Sequence, residues 1–370
     1  MVDLKGQYLK IKNEIDNALL NVIDSTAFIN GPVVKDFQKD LEKYLNIKHV
    51  VPCGNGTDAL QVSMMALGLQ PGDEVITTGF TFIATVEVIS LLGLIPVFVD
   101  IDPDTFNIDP CFIEKAITNK TKAIVPVHLF GQSANMEKII KIAEKHSLYV
   151  IEDNAQALGA EYTFSNGTTK KTGTIGHIGC TSFFPSKNLG GYGDGGAIFT
   201  NNDNIAENLR SMVNHGMKVR YYYDQVGVNS RLDSLQAAIL KIKLKHLDRY
   251  NMTRQKAADY YDDALKGQSI LAIPFRYNKS THIFNQYTLK TKNIDRNELI
   301  DFLKSKGIPA MIYYPVPLHL QKAYVNLDYV EGDLPVTEEL CKTVFSIPMH
   351  TELEEEQQKY ITDHIIEFIK

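Results

Sequence analysis

Short, almost wholly apolar segments alternate with segments of helical periodicity over the first two hundred residues. In residues 135–146, for example, Met136, Ile139, Ile140 and Ala143 recur at helical spacing. Continuously hydrophobic strands between helices are typical of a parallel sheet that helices cover on both faces. The pattern predicts an α/β fold with helices at 4–24, 33–45, 57–69, 110–118 and 135–146, and strands at 49–53, 74–78, 95–100, 122–130, 148–153, 178–184 and 196–201.

The later part of the chain indicates a second, smaller unit. A long helix is predicted from about Asp233 to Lys266, with Leu235, Ala238, Ile239 and Ile242 on one stripe. The chain has 370 residues, more than one hydrophobic core usually serves. We therefore expect a large domain at 1–240, which includes the N-terminal helices, and a small C-terminal α/β domain at 241–370.

Composition narrows the function. The net charge of −6 argues against a nucleic-acid surface, and the longest apolar stretch, residues 88–99, is too short to span a membrane. Four cysteines lie far apart without a CxxC pair, which is typical of free thiols in a reducing compartment. We expect a water-soluble cytoplasmic protein with no nucleic-acid, membrane or metal partner.

The segment TSFFPSKNLGGYGDGGAIFTN, residues 181–201, sets Lys187 ahead of five glycines. Gly191 to Gly196 matches G-x-G-x-x-G, but a dinucleotide site needs a strand before that motif and a helix after it. A strand is predicted after it instead, which disfavours nicotinamide. A lysine that follows a strand also suits a Schiff base with a carbonyl group, as in pyridoxal phosphate (PLP).

Other residues fit that cofactor, because side chains at the carboxyl ends of parallel strands converge on one site. Asp153 suits the pyridine nitrogen, although a helix cap is the plainer interpretation of Glu152-Asp153. Residues 54–60 suit a phosphate at a helix start, or an ordinary capped connection. Ser182 adds a hydroxyl. Phe82 suits stacking on the ring, or a place in the core.

Six ordered motifs, GTDAL, PGDEVIT..FTFIAT, PVFVDID, IEDNAQALGA, TSFFPSKNLGGYGDGGA and VGVNSRLDSLQAAIL, resemble the DegT/DnrJ/EryC1/StrS family. Its members are PLP-dependent nucleotide-sugar aminotransferases of fold type I, the aspartate-aminotransferase fold, with a mostly parallel seven-stranded sheet. The resemblance implies that Lys187 forms the Schiff base, that Asp153 binds the pyridine nitrogen, and that Gln156 binds the phenolic oxygen. It further implies stacking by Phe82, phosphate binding by Gly56, Thr57 and Ser182, and, in a homodimer with shared active sites, a phosphate contact from the neighbouring subunit's Asn229.

Some relatives carry histidine at the lysine position and are dehydratases, so Lys187 favours amine transfer over dehydration. The intact set of cofactor residues favours catalysis over a purely regulatory role. The donor implied is L-glutamate. Residues 128–132 and 181–201 look closest to enzymes that aminate UDP-2-acetamido-2-deoxy-3-oxo-glucuronate for bacterial surface polysaccharide such as O-antigen. A dTDP-3-keto-6-deoxyhexose is the alternative acceptor. The predicted sugar contacts are Arg231, which alternatively supports the dimer interface, Tyr313 and His319. Asn154 and Tyr313 depart from the commoner residues of the family, alanine and histidine.

Overall fold

A computed structural model describes residues 1–369, and its centre is a seven-stranded sheet. The strands lie in the order β1-β9-β8-β5-β4-β2-β3, and only β9 runs antiparallel to its neighbours. The prediction of a mostly parallel sheet is confirmed. The strands are β1 (His49–Cys53), β2 (Glu74–Thr78), β3 (Ile95–Val99), β4 (Thr121–Ile124), β5 (Tyr149–Asp153), β6 (Glu161–Thr163), β7 (Thr169–Lys171), β8 (Ile178–Ser182), β9 (Gly196–Thr200), β10 (Met217–Val219), β11 (Tyr222–Tyr223), β12 (Leu271–Ala272), β13 (Tyr287–Thr291) and β14 (Val344–Ile347).

Helices cover both faces of this sheet, as the continuous hydrophobicity of the strands requires. Ile151 packs with α3, α4 and α7, whereas its neighbour Val150 packs on the opposite face with α5 and α6. The helices are α1 (Leu4–Ser25), α2 (Pro32–Leu45), α3 (Gly56–Ala66), α4 (Ala84–Leu91), α5 (Pro110–Ala116), α6 (Met136–His146), α7 (Asp203–Met212), α8 (Ser234–Leu244), α9 (Leu247–Leu265), α10 (Arg296–Ser305), α11 (Pro335–Thr343) and α12 (Glu355–Ile369).

The long helix predicted from Asp233 to Lys266 is wrong, because α8 and α9 are separate helices. Lys245 and His246 lie between them. Residues of α8 pack into a core with α2, β1 and β9. Leu247 at the start of α9 still packs in this core, whereas α9 from Ala257 onward packs into a second core with α10, α12 and the sheet β12-β13-β14. The predicted boundary at 240/241 falls inside α8, and the division into 1–240 and 241–370 stays a prediction.

Some elements carry little signal in the sequence. The hairpins β6-β7 and β10-β11 have strands of only two or three residues, too short for an apolar pattern. Strand β4 ends at Ile124 rather than at residue 130, and a separate 3₁₀ turn follows at Leu129–Gly131. Within residues 1–369, no helix combines the length and the hydropathy that crossing a bilayer requires.

Candidate active site

The carboxyl ends of the central strands bring the predicted cofactor residues to one edge of the sheet. Asp153 ends β5 and is in register with Cys180 of β8, and Ser182 ends β8. Gly56 begins α3 directly after β1, and a Cβ atom placed on it would lie 2.7 Å from Cβ of Ser182. Residues about a hundred positions apart along the chain therefore meet where parallel α/β sheets bind their ligands.

Lys187 follows β8 by five residues, in a turn where its backbone N–H donates to the carbonyl of Phe184 at 2.9 Å. The side chain is half-buried. Burial lowers the pKa of its amine, and the negative charge of Asp153 opposes that shift without reversing it. The two side chains are thus close enough to affect each other, yet within residues 1–369 they form no ion pair. The result is an amine with an increased neutral fraction.

Asp153 is 6% exposed and has a defined orientation. Its Oδ2 accepts a hydrogen bond from Oγ1 of Thr85 at 2.8 Å, and its Oδ1 accepts one from the N–H of Ala155 at 3.1 Å. The helix-cap interpretation fails, because the segment after Asp153 is a series of turns and not a helix. Sequence reasoning missed Thr85, although it lies in the FTFIAT motif.

Glu152 points to the other side of the same strand and is completely buried. Its Oε1 accepts from the N–H groups of Ile175 and Gly176, both at 2.6 Å. Its Oε2 accepts from the N–H of Gly173 at 2.9 Å and from Nε2 of His128 at 2.8 Å. This carboxylate holds the 173–176 segment under the strand end that carries Asp153.

The start of α3 offers a place for an anion. Asn55 caps the helix by accepting from the N–H of Asp58 at 2.8 Å, and the amide groups of the first turn form the positive end of the helix dipole. Ser230, which sequence reasoning missed, accepts from the N–H of Gly54 at 2.9 Å and donates to Asp58 at 2.6 Å. These bonds bring residues 229–231 beside the turn that contains Gly56 and Thr57.

Aromatic and amide side chains form another wall of the candidate active site, called here the aromatic wall. Phe82 is 55% exposed, unusual for a phenylalanine, and its ring lies 6.5 Å from that of Tyr314. Gln156 accepts from the N–H of Phe130 at 2.7 Å and donates through Nε2 to the hydroxyl of Tyr314 at 3.2 Å. One N–H of the Gln156 amide is left for a ligand. Tyr314 was also missed, although its neighbour Tyr313 was predicted.

The predicted sugar residues have different surroundings. Arg231 is half-buried and its Nε has no hydrogen-bond partner, whereas Asn229 is exposed and Tyr313 is half-buried. His319 is 2% exposed and pairs through Nε2 with Glu338 at 3.0 Å. This burial favours a structural role for His319, and its predicted sugar contact stays a prediction.

The glycines of residues 190–196 allow close contacts between backbone segments. A Cβ on Gly190 would lie 2.3 Å from the carbonyl oxygen of Pro185, and one on Gly196 would lie 2.4 Å from that of Asn55. The motif Gly191–Gly196 leads into β9 and not into a helix, so it lacks the context of a dinucleotide site.

These residues fit PLP. The site combines an amine of lowered pKa, a buried and oriented carboxylate, an exposed aromatic face, and a helix start where only glycine fits against Ser182. Each corresponds to a group that the cofactor presents: aldehyde, pyridine nitrogen, ring face and phosphate.

Comparisons with known proteins agree with this chemistry. The model of the DegT/DnrJ/EryC1/StrS aminotransferase family matches residues 9–366. A pleiotropic regulatory protein of Geobacillus stearothermophilus is 50% identical, over 100% of this chain and 98% of that protein. A UDP-2-acetamido-2-deoxy-3-oxo-D-glucuronate aminotransferase of Pseudomonas aeruginosa is 45% identical, over 97% of each chain.

A dTDP-3-amino-3,4,6-trideoxy-alpha-D-glucose transaminase of Streptomyces venezuelae is 37% identical, over 99% of this chain and 95% of that one. Among solved structures, S. venezuelae DesV in complex with a ketimine intermediate superposes with a TM-score of 0.95, at 38% identity over 100% of this chain and 98% of that one. The fold type I prediction is confirmed. The chain belongs to the DegT/DnrJ/EryC1/StrS aminotransferase family and is a PLP-dependent sugar aminotransferase.

Proposed function

We propose that the protein transfers an amino group from L-glutamate to a nucleotide-linked 3-keto sugar, with UDP-2-acetamido-2-deoxy-3-oxo-glucuronate as the preferred acceptor, for a bacterial surface polysaccharide. The observation that carries the proposal is Lys187, a half-buried amine of lowered pKa that lies near Asp153 without pairing to it. The relative that is 45% identical and named for this acceptor supports the choice of sugar.

The residues that would hold PLP are those that meet at the sheet edge. Asp153, oriented by Thr85, keeps a proton on the pyridine nitrogen, and Phe82 covers one face of the ring. Gly56, Thr57 and Ser182 bind the phosphate at the α3 start, and the free N–H of Gln156 donates to the phenolic oxygen. When bound, PLP accepts the electron pair released from the amine-bearing carbon and carries the amine between the two substrates.

Lys187 then acts as the proton carrier. Its amine takes the proton from the amine-bearing carbon of the donor and returns a proton to the sugar carbon in the second half of the reaction. Only a neutral amine can take that proton, and the lowered pKa increases the neutral fraction near pH 7. Because the donor leaves before the acceptor binds, the kinetics are ping-pong.

Arg231 is proposed to bind the carboxylate of the sugar. Its unpartnered Nε and its place after Ser230, beside the phosphate-binding turn, support this role. Tyr313, next to Tyr314 in the aromatic wall, is proposed as a second sugar contact.

A homodimer with shared sites is part of the proposal. Asn229 and the hairpin β10-β11 are exposed, and Tyr221, Tyr222 and Tyr223 of that hairpin are 71%, 70% and 61% exposed. Consecutive exposed tyrosines are typical of an interaction surface. A second copy would cover them and place its Asn229 at the phosphate of the neighbouring site.

The test measures amine transfer by the purified protein with PLP. Wild type is expected to absorb in the visible range, to change its spectrum when glutamate is added, and to release 2-oxoglutarate. Lys187→Ala is expected to lose all three signals, whereas the exposed control Lys122→Ala keeps them. The UDP-3-keto-glucuronate and a dTDP-3-keto-6-deoxyhexose are compared as acceptors by kcat/KM.

A higher kcat/KM for the dTDP sugar would replace the proposed acceptor. A spectrum that glutamate leaves unchanged, with no 2-oxoglutarate, would refute amine transfer from glutamate. Binding of PLP and sugar nucleotide without transfer would instead indicate a regulatory protein.

A further inference from the structure

A small cavity lies beside Lys187, and Arg254 of α9, a buried arginine, is one of the residues that line it. The cavity volume is about 10 Å³. Arg254 is only 4% exposed. The other lining residues come from the start of the chain, from the lysine turn and from the segment after β14: Val2, Asp3, Leu4, Gln7, Pro185, Ser186, His350 and Thr351.

The guanidinium of Arg254 is only half used by the protein. Its Nη1 donates to three backbone carbonyls, those of Phe284 at 3.1 Å, Asn285 at 3.3 Å and Met349 at 3.0 Å. Its Nε is buried without a hydrogen-bond partner. All hydrogen bonds that the Arg254 side chain forms within residues 1–369 use Nη1. The edge formed by Nε and Nη2 is therefore free, and such an edge binds a carboxylate through two parallel hydrogen bonds.

The charge of Arg254 also lacks a partner. Burial lowers its pKa to about 10, so the guanidinium stays protonated at neutral pH. His350 is neutral there, because burial and then the charge of Arg254 lower its pKa to about 4. Asp3 is the carboxylate on the wall, and its Oδ1 accepts from the N–H of Gly6 at 2.8 Å. No carboxylate of residues 1–369 forms an ion pair with Arg254. A buried unpaired charge is unfavourable, and an anionic ligand would relieve it.

We propose that Arg254 binds a carboxylate of the amino-acid donor, an inference that rests on the proposed function. The cavity is far too small for a sugar nucleotide, so only a small end group of a ligand could enter it. Because Lys187 also lines the cavity, a carboxylate held there lies next to the residue that bears the reacting amine. The donor and the sugar would then use different arginines, Arg254 and Arg231.

The first test is equilibrium binding of glutarate, a dicarboxylate without an amine, to the PLP-loaded protein by calorimetry. Arg254→Lys keeps a charge and a donor for the carbonyls but loses the two-pronged edge, and we expect glutarate affinity to fall at least tenfold. Arg249→Lys is the matched control, since it makes the same change on the exposed side of α9, and it should stay within twofold of wild type.

A second variant separates binding from folding. Val2→Phe adds bulk to the lining of the cavity and alters none of the carbonyls that Arg254 bonds, so it should also lower glutarate affinity at least tenfold. In the glutamate half-reaction, both variants should raise the half-saturating concentration of glutamate by at least tenfold with less than a threefold change in the limiting rate.

Glutarate affinity within twofold of wild type in Val2→Phe and in folded Arg254→Lys would overturn the assignment. The proposed function fails in a different way. If wild type binds glutarate through Arg254 but glutamate yields no 2-oxoglutarate, the carboxylate site stands and the transfer does not.

Discussion

The buried carboxylate of Glu152 should be one of the largest single contributors to stability near the active site. In Glu152→Gln, one oxygen of the carboxylate becomes an NH₂ group. The remaining oxygen can still accept hydrogen bonds from two of the four donors. The other two donors then face the new NH₂ group, which cannot accept a hydrogen bond. His128 cannot adapt, because its Nδ1 accepts from the N–H of Ala134 at 3.1 Å and its Nε2 therefore carries the proton.

The size of the effect follows from this count. A hydrogen bond to a charged group contributes roughly 1.5–3 kcal/mol, so two lost bonds correspond to about 3–6 kcal/mol. Removing a buried negative charge offsets part of that loss. We expect the free energy of unfolding of Glu152→Gln to be lower than that of wild type by about 3 kcal/mol.

Urea unfolding followed by far-ultraviolet circular dichroism measures this difference, since the chain has no tryptophan for fluorescence. Glu144→Gln is the control, because Glu144 is an exposed glutamate on α6 and the same substitution there should change stability by less than about 0.5 kcal/mol. A Glu152→Gln protein within about 1 kcal/mol of wild type, with an unchanged dependence on urea, would show that the hydrogen-bond count overstates the role of the carboxylate.

Two further predictions concern the cofactor and pH. Gly56→Ala places a methyl group 2.7 Å from Cβ of Ser182, so the α3 start must shift, and the dissociation constant of PLP in an absorbance titration should rise at least tenfold. Gly267→Ala is the control: it has no neighbour within 4 Å and strains only its own backbone, at a φ of +82°, so it should leave that constant unchanged. Burial lowers the pKa of His282 to about 3, below its unfolded value of about 6.5, so the unfolded chain binds the extra proton and stability falls as pH drops from about 6.5 toward 3. His282→Phe should remove about 2 kcal/mol of the stability difference between pH 7 and pH 5, and an unchanged difference would contradict this.

The sheet was predictable because its strands are continuously apolar, and that pattern marks burial on both faces. The break between α8 and α9 was not, because Leu244 and Leu247 are both buried and the apolar stripe continues across it. Leu247 still packs in the core with α2, and the change to the core with α10 and α12 comes further along α9, so the apolar pattern does not mark the break between the two helices. Such a change depends on residues distant in sequence.

The same reasoning explains which site residues the sequence revealed. Asp153 ends a strand and Lys187 lies in the turn after one, both within recognisable motifs, so their position alone suggests a role. Thr85 and Ser230 act through contacts to Asp153 and to Gly54, which lie 68 and 176 positions away in the chain. The local sequence around a hydroxyl does not indicate which distant residue the hydroxyl will bond in the fold. These supporting residues became visible only with the fold.

The relation between Lys187 and Asp153 shows what those supporting residues achieve. An aspartate that paired directly with the lysine would raise the pKa of the amine and keep it protonated. Thr85 and the N–H of Ala155 instead occupy Oδ2 and Oδ1 of Asp153, and burial then exceeds the attraction that remains, so the pKa of Lys187 falls. The site thus keeps an anionic carboxylate and an amine of lowered pKa close together. The roles proposed for Lys187, as proton carrier, and for Asp153, as partner of the pyridinium, require that separation.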